Sequence, residues 1–84
     1  MGIKVLYLTL TKCYFDAILD GTKKVEFREI KPYWTKRLEG KTFDVIVFKN
    51  GYSKTSPTMR VEWLGMDKGE ALYSIKLGKI LDVN

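Results

Sequence analysis

The run Phe43-Asp44-Val45-Ile46-Val47-Phe48 restricts the fold more than any other stretch of the chain. Side chains of a strand alternate between two faces, and this one is apolar on both, so it must lie inside a sheet that is covered or closed on each side. Other segments read as its partners. Ile3 to Leu10 is a first strand, apolar on both faces after Lys4; Lys23 to Ile30 is a second. In a fourth, Met59, Val61 and Trp63 alternate with Arg60, Glu62 and Leu64 before Gly65 stops it. In the last, Ala71, Tyr73, Ile75 and Leu77 form an inner face, and Gly78 bends the chain so that Lys79 to Val83 closes against the opening strand.

Two short helices interrupt the strands. Thr11 can cap the first, in which Phe15, Ile18 and Leu19 make an apolar stripe and Gly21 is the stop. Pro32 opens the second, Tyr33 to Glu39, ended by Gly40. On it Trp34 and Leu38 share the packing face, which leaves Tyr33 and Arg37 on a neighbouring face for a ligand. Eighty-four residues hold one core, so residues 1–84 are one domain of the α+β class: a small, five-stranded, mostly antiparallel barrel with two helices.

Several chemistries are excluded. The chain has no histidine and one cysteine, Cys13, so it holds no Ser-His-Asp or Cys-His couple, no thiolate cage and no internal disulfide. No metal or cofactor is expected, and Cys13 reads as a small buried hydrophobe in a reducing, cytoplasmic setting. The first residues lack a signal-peptide layout, and no apolar run is long enough to span a membrane. Fifteen Lys and Arg against ten Asp and Glu give a net charge of +5, which favours polyanionic partners, nucleic acid first among them.

Charge concentrates in Gly21-Thr22-Lys23-Lys24-Val25-Glu26-Phe27-Arg28-Glu29. Alternation sets Val25 and Phe27 on the packing face and Lys24, Glu26 and Arg28 on the other, a plus-minus-plus row close enough to touch one ligand. Asn50-Gly51 then opens a polar loop of about eight residues, longer than a usual hairpin connection. Tyr52, within it and flanked by Ser53 and Lys54, is suited to stacking on a base.

Gly21-x-Lys23-x-x-Glu26-x-Arg28, directly after an apolar helix, resembles the signature of the ASCH (activating signal cointegrator homology) domains. Tyr14-Phe15-Asp16-Ala17-Ile18-Leu19-Asp20 before it and Tyr73-Ser74-Ile75-Lys76-Leu77-Gly78-Lys79-Ile80 near the end are similar to the same family. Phe27 to Trp34 with Arg37-Leu38, then Phe48-Lys49-Asn50-Gly51-Tyr52, looks like the compact stand-alone members of bacteria and phages. The resemblance, which spans nearly the whole chain, implies a PUA-like barrel with a cleft beside the motif strand that takes RNA or a nucleotide.

Carried over by position, Lys23 and Arg28 would face phosphate or a base edge, and Glu26 would accept from an exocyclic amine or orient the cations. Strict alternation puts Lys23 on the Val25 side, so Lys23 must precede the regular strand or sit at a bulge to join Glu26. Some members hydrolyse acetylated cytidine with a threonine nucleophile where this chain has Glu26, and a carboxylate cannot serve that scheme. Other relatives are reported as ribonucleases, and Lys23 or Lys24 as acid or phosphate clamp with Glu26 as base is the enzymatic alternative.

The expectation is a module that binds single-stranded RNA or a modified nucleotide. Lys23, Lys24, Glu26, Arg28, Arg37 and Asn50 would supply polar contacts, and Tyr33 and Tyr52 would stack.

Overall fold

The computed structural model describes residues 2–84. Five strands and two helices follow in the order β1 (Val5–Leu10), α1 (Lys12–Leu19), β2 (Val25–Glu29), α2 (Pro32–Leu38), β3 (Val45–Asn50), β4 (Thr58–Lys68) and β5 (Leu72–Val83). They form a small α+β barrel-like fold in which one sheet, ordered β1-β3-β4-β5-β2, curls into a half-barrel. Only β1 and β3 are parallel, since α1, β2 and α2 lie between them in the chain; the other three pairings are antiparallel.

The doubly apolar run is the interior strand it must be: Val45, Ile46 and Phe48 of β3 are buried between β1 and β4. Leu6, Leu8 and Leu10 of β1, Phe15 and Ile18 of α1, and Leu38 of α2 close over the same core as Met59, Val61, Tyr73 and Ile75. Among the described residues, no helix is long and apolar enough to cross a membrane.

The end of β5 does not close against β1. Asp82 and Val83 pair with Arg60 and Met59 of β4, and β1 and β2 are left as the two free edges. The cause is a lengthened β4·β5 ribbon, in which β4 runs through Gly65 to Lys68 instead of stopping at the glycine. Gly65, at φ +120, belongs to one of three register shifts along that ribbon, and these bulges curl the sheet without ending the strand.

Smaller departures are also present. Tyr7 is exposed because only the Leu6, Leu8 and Leu10 side of β1 meets the core. Leu19, Ala71 and Cys13 are exposed too, and the Thr11 side chain makes no capping bond.

The exit of α1 positions a lysine. Gly21, at φ +87, donates its N–H to the Ile18 carbonyl (3.1 Å), and Thr22 donates to that of Ala17 (3.0 Å). This is the paired closure that terminates a helix through a left-handed residue. Lys23 N–H shares the Ala17 carbonyl (3.0 Å), so the lysine is fixed in place two residues before β2 begins. A side chain at position 21 would strain that φ, at a cost of about 1 kcal/mol.

A polar cluster ties α2 to the ribbon. The buried Tyr73 hydroxyl donates to Glu39 (2.5 Å) and meets the Thr35 hydroxyl at 2.7 Å, while Lys68 Nζ reaches the same Glu39 oxygen at 2.9 Å. Hydrogen bonds from Tyr73 and Lys68 hold the Glu39 carboxyl below its usual 4.5. Burial, and then the bond to Glu39, push the Tyr73 phenol above 10.0; the bond to Glu39 likewise raises Lys68.

The signs of these shifts define a pH window. A lowered carboxyl stabilises the fold above its unfolded value and loses that contribution as pH falls through the folded one; a raised phenol contributes below about 10 and loses it as pH rises further. Chemical denaturation across pH should therefore show a plateau with an acid limb below about 4.5 and an alkaline limb above about 10. Tyr73→Phe should flatten both limbs, and limbs unchanged in that variant would mean the cluster does not set them.

Candidate nucleic-acid interface

The two free edges of the sheet face each other across a seam that no backbone ladder closes. Arg28 of β2 bridges it: Nη2 donates to the carbonyl of Thr9 on β1 (3.3 Å), an acceptor on an edge strand. Nη1 donates to the Phe27 carbonyl (2.8 Å) and to a carboxylate oxygen of Glu26.

Glu26 is the one buried charged side chain among the described residues, 3% exposed. One of its oxygens takes Arg28 and the other lies 3.3 Å from Lys23 Nζ. Burying a carboxylate is costly unless it is paired, and here both oxygens are. The β2 row therefore faces opposite to the sequence expectation: Glu26 and Arg28 point inward, and Phe27 is 46% exposed. Polar-out alternation fails because Glu26 enters the interior together with its own counter-charges. Lys23 joins them from before the strand, which resolves its apparent conflict with alternation.

Above this triad lies an open cleft of about 760 Å3. Six of the eleven aromatic side chains in the chain line it: Tyr7, Tyr14, Phe27, Tyr33, Trp34 and Tyr52. They come from β1, α1, β2, α2 and the loop after β3, so the cleft exists only in the folded chain. Lys23 Nζ sits 5.2 Å from the ring centres of both Tyr14 and Phe27, and the Arg28 guanidinium sits 5.1 Å from that of Trp34. Those distances are within cation–π range, so each cation is held by a carboxylate on one side and ring faces on another.

Among the proposed contacts, Lys23, Glu26, Arg28, Tyr33 and Tyr52 line the cleft. Lys24, Arg37 and Asn50 do not. Lys24 is exposed on the far side of Lys23, in a separate groove. Arg37 lies over the Tyr33 ring, 3.6 Å from its centre, and bonds the Tyr33 carbonyl (3.2 Å), so it backs the tyrosine and does not meet the ligand space. Asn50 ends β3 opposite Leu10, its N–H engaged by the Pro57 carbonyl (2.9 Å).

Tyr52 is 91% exposed at the rim and Tyr33 56%, the exposure a stacking residue needs. Tyr7, Tyr14, Phe27 and Trp34 were absent from the sequence-derived set. Tyr7 carried a readable signal, since Tyr7 and Thr9 alternate with Leu6, Leu8 and Leu10. Trp34 packs on the core and lines the cleft at once, a double role that helical spacing does not reveal.

The triad carries two cations and one anion, so it presents a single surplus positive charge beneath aromatic walls. That combination suits a planar, singly anionic guest: ring faces for the planar part, and Lys23 with the unused donors of Arg28 for the charge. Among the described residues, no three Cys, Asp or Glu side chains converge as metal ligands. Compared with known proteins, the chain matches no family model, no curated protein and no solved structure.

Proposed function

We propose that this protein is a nucleic-acid-binding module that takes a base of single-stranded RNA, or a modified nucleotide, into the aromatic cleft. The observation that carries the reading is the gathering of six aromatic side chains around the Lys23-Glu26-Arg28 triad. Bases stack on Tyr33 and Tyr52, and the surplus positive charge of the triad matches the single negative charge of a phosphodiester. The resemblance of Gly21-x-Lys23-x-x-Glu26-x-Arg28 to ASCH domains, and hence to a PUA-like fold, points the same way.

Binding is favoured over turnover by the state of Glu26. A general base must reach a substrate proton, whereas each Glu26 oxygen is already occupied by a cation.

Titration of labelled single-stranded RNA, and competition by free nucleotides, at about 50 and about 200 mM salt tests the reading. Affinity should fall with salt, with a log–log slope of about −0.7 per phosphate contacted. Salt-insensitive binding, or no binding of any single strand or nucleotide, would overturn it.

A further inference from the structure

A second hollow lies behind Lys23. It is a groove of about 290 Å3 whose lining includes Lys23, Lys24 and Lys79 with two glycines, Gly21 and Gly78. Lys23 lines both this groove and the aromatic cleft, so the two hollows share that residue.

We infer that cleft and groove form one track for a single-stranded polynucleotide, with a base in the cleft, its phosphate at Lys23, and the next phosphates on Lys24 and Lys79. The inference rests on the nucleic-acid reading above. It adds that the ligand is a strand longer than one nucleotide, leaving the cleft over the β2·β5 pair.

Local structure builds the groove. Leu77 N–H donates to the Lys24 carbonyl (3.1 Å), which extends the β2·β5 pairing to the residue beside Lys23. On β5, Val61 pairs with Ile80 and Trp63 with Leu77, so Gly78 and Lys79 together oppose Glu62 alone. Such a bulge re-aims the side chains it carries. A Cβ at Gly78 would press on the Glu62 side chain, which would have to shift to admit it. Glu62 Oε1 also lies 3.4 Å from the Lys79 N–H, so Glu62 is turned onto the bulge and does not line the groove.

Among the described residues, lysines without a carboxylate partner are spread over the surface, Lys4, Lys36, Lys41, Lys49 and Lys54 among them; Lys24 and Lys79 differ in lining a hollow that shares Lys23 with the aromatic cleft. Lys12, Lys31, Arg60, Lys68 and Lys76 each have a carboxylate partner, and Lys23 and Arg28 share Glu26. Lys24 and Lys79 are exposed and, among the described residues, unpaired; no carboxylate lines the groove beside them. Unpaired lysines on a concave strip are suited to phosphates, which position a strand without reading its sequence.

The test compares a nucleoside monophosphate with single strands of up to about six nucleotides, as RNA and as DNA, on the wild-type chain, on Lys24→Ala/Lys79→Ala and on Lys24→Arg/Lys79→Arg. Wild-type affinity should rise about tenfold or more with length on either backbone. The alanine pair should lose that rise and lower the magnitude of the salt slope by about 1.4, for two phosphates at about 0.7 each, while its monophosphate affinity stays unchanged. The arginine pair should keep the rise.

If the monophosphate binds but length adds nothing, or the alanine pair keeps the full gain and slope, the track is refuted and the cleft reading survives. If neither monophosphate nor strand binds, both are refuted.

Discussion

Glu26→Ala is expected to destabilise the fold by about 3 to 5 kcal/mol, the cost of breaking a buried ion pair by removing one partner. The loss is large against the whole. At roughly 0.05 to 0.15 kcal/mol per residue, a chain of this length has about 4 to 13 kcal/mol of stability. Without Glu26, Lys23 and Arg28 face each other as like charges, with side chains 18% and 16% exposed. Arg28 also loses a partner that orients it toward Thr9, so the bridge between the free edges of β1 and β2 loosens.

Urea denaturation of Glu26→Ala and Glu26→Gln checks this. Glutamine, which keeps the shape and one acceptor oxygen, should lose less than alanine. Replacing all three triad residues by apolar groups of similar size should recover much of the loss, because no buried charge is then left unpaired. A Glu26→Ala protein within about 0.5 kcal/mol of wild type, the range of ordinary surface changes, would sink the account of Glu26 as the centre of the triad.

Tyr33→Ala/Tyr52→Ala is expected to weaken RNA binding by about 1 to 3 kcal/mol for each base that loses its platform. Two platforms together then cost roughly thirtyfold or more in affinity. Both side chains are largely exposed, and Tyr52 has almost no protein surface against it, so the thermal midpoint should move little. That separation makes the variant more informative than Trp34→Ala, which would also unpack the core.

Tyr33→Phe/Tyr52→Phe should retain binding, since stacking needs the ring and not the hydroxyl. Undiminished RNA affinity in the alanine pair would remove the stacking role of these residues, and unchanged affinity in Arg37→Ala would fit its place behind the Tyr33 ring.

Much of the architecture was legible from local pattern. Phe43 to Phe48 has to be interior because both of its faces need cover, and β3 is flanked by β1 and β4. Gly21 has to end α1 because the closing residue takes a positive φ, and it does so at +87. Glu26 and Arg28 were marked as site residues by charge on a strand, Lys23 by the resemblance of its motif, and Tyr33 and Tyr52 as aromatic residues left to face a ligand, and all five border one cleft. Lys24 was marked by strand alternation, Arg37 by helical spacing and Asn50 as a polar contact at a turn, and each lies outside the cleft because such local patterns describe a position without saying what it meets in space.

Residue order alone dictated which side chains lie next to one another on each strand and helix, because periods of two and of 3.6 are properties of the backbone. Which side of β2 turns inward was a tertiary matter: it depended on Lys23 and Arg28 neutralising Glu26, an energy that appears only when the three are buried together. The seam was tertiary as well. The long β4·β5 ribbon keeps the end of β5 on β4, so β1 and β2 stay unpaired, and the aromatic cleft lies between those two edges.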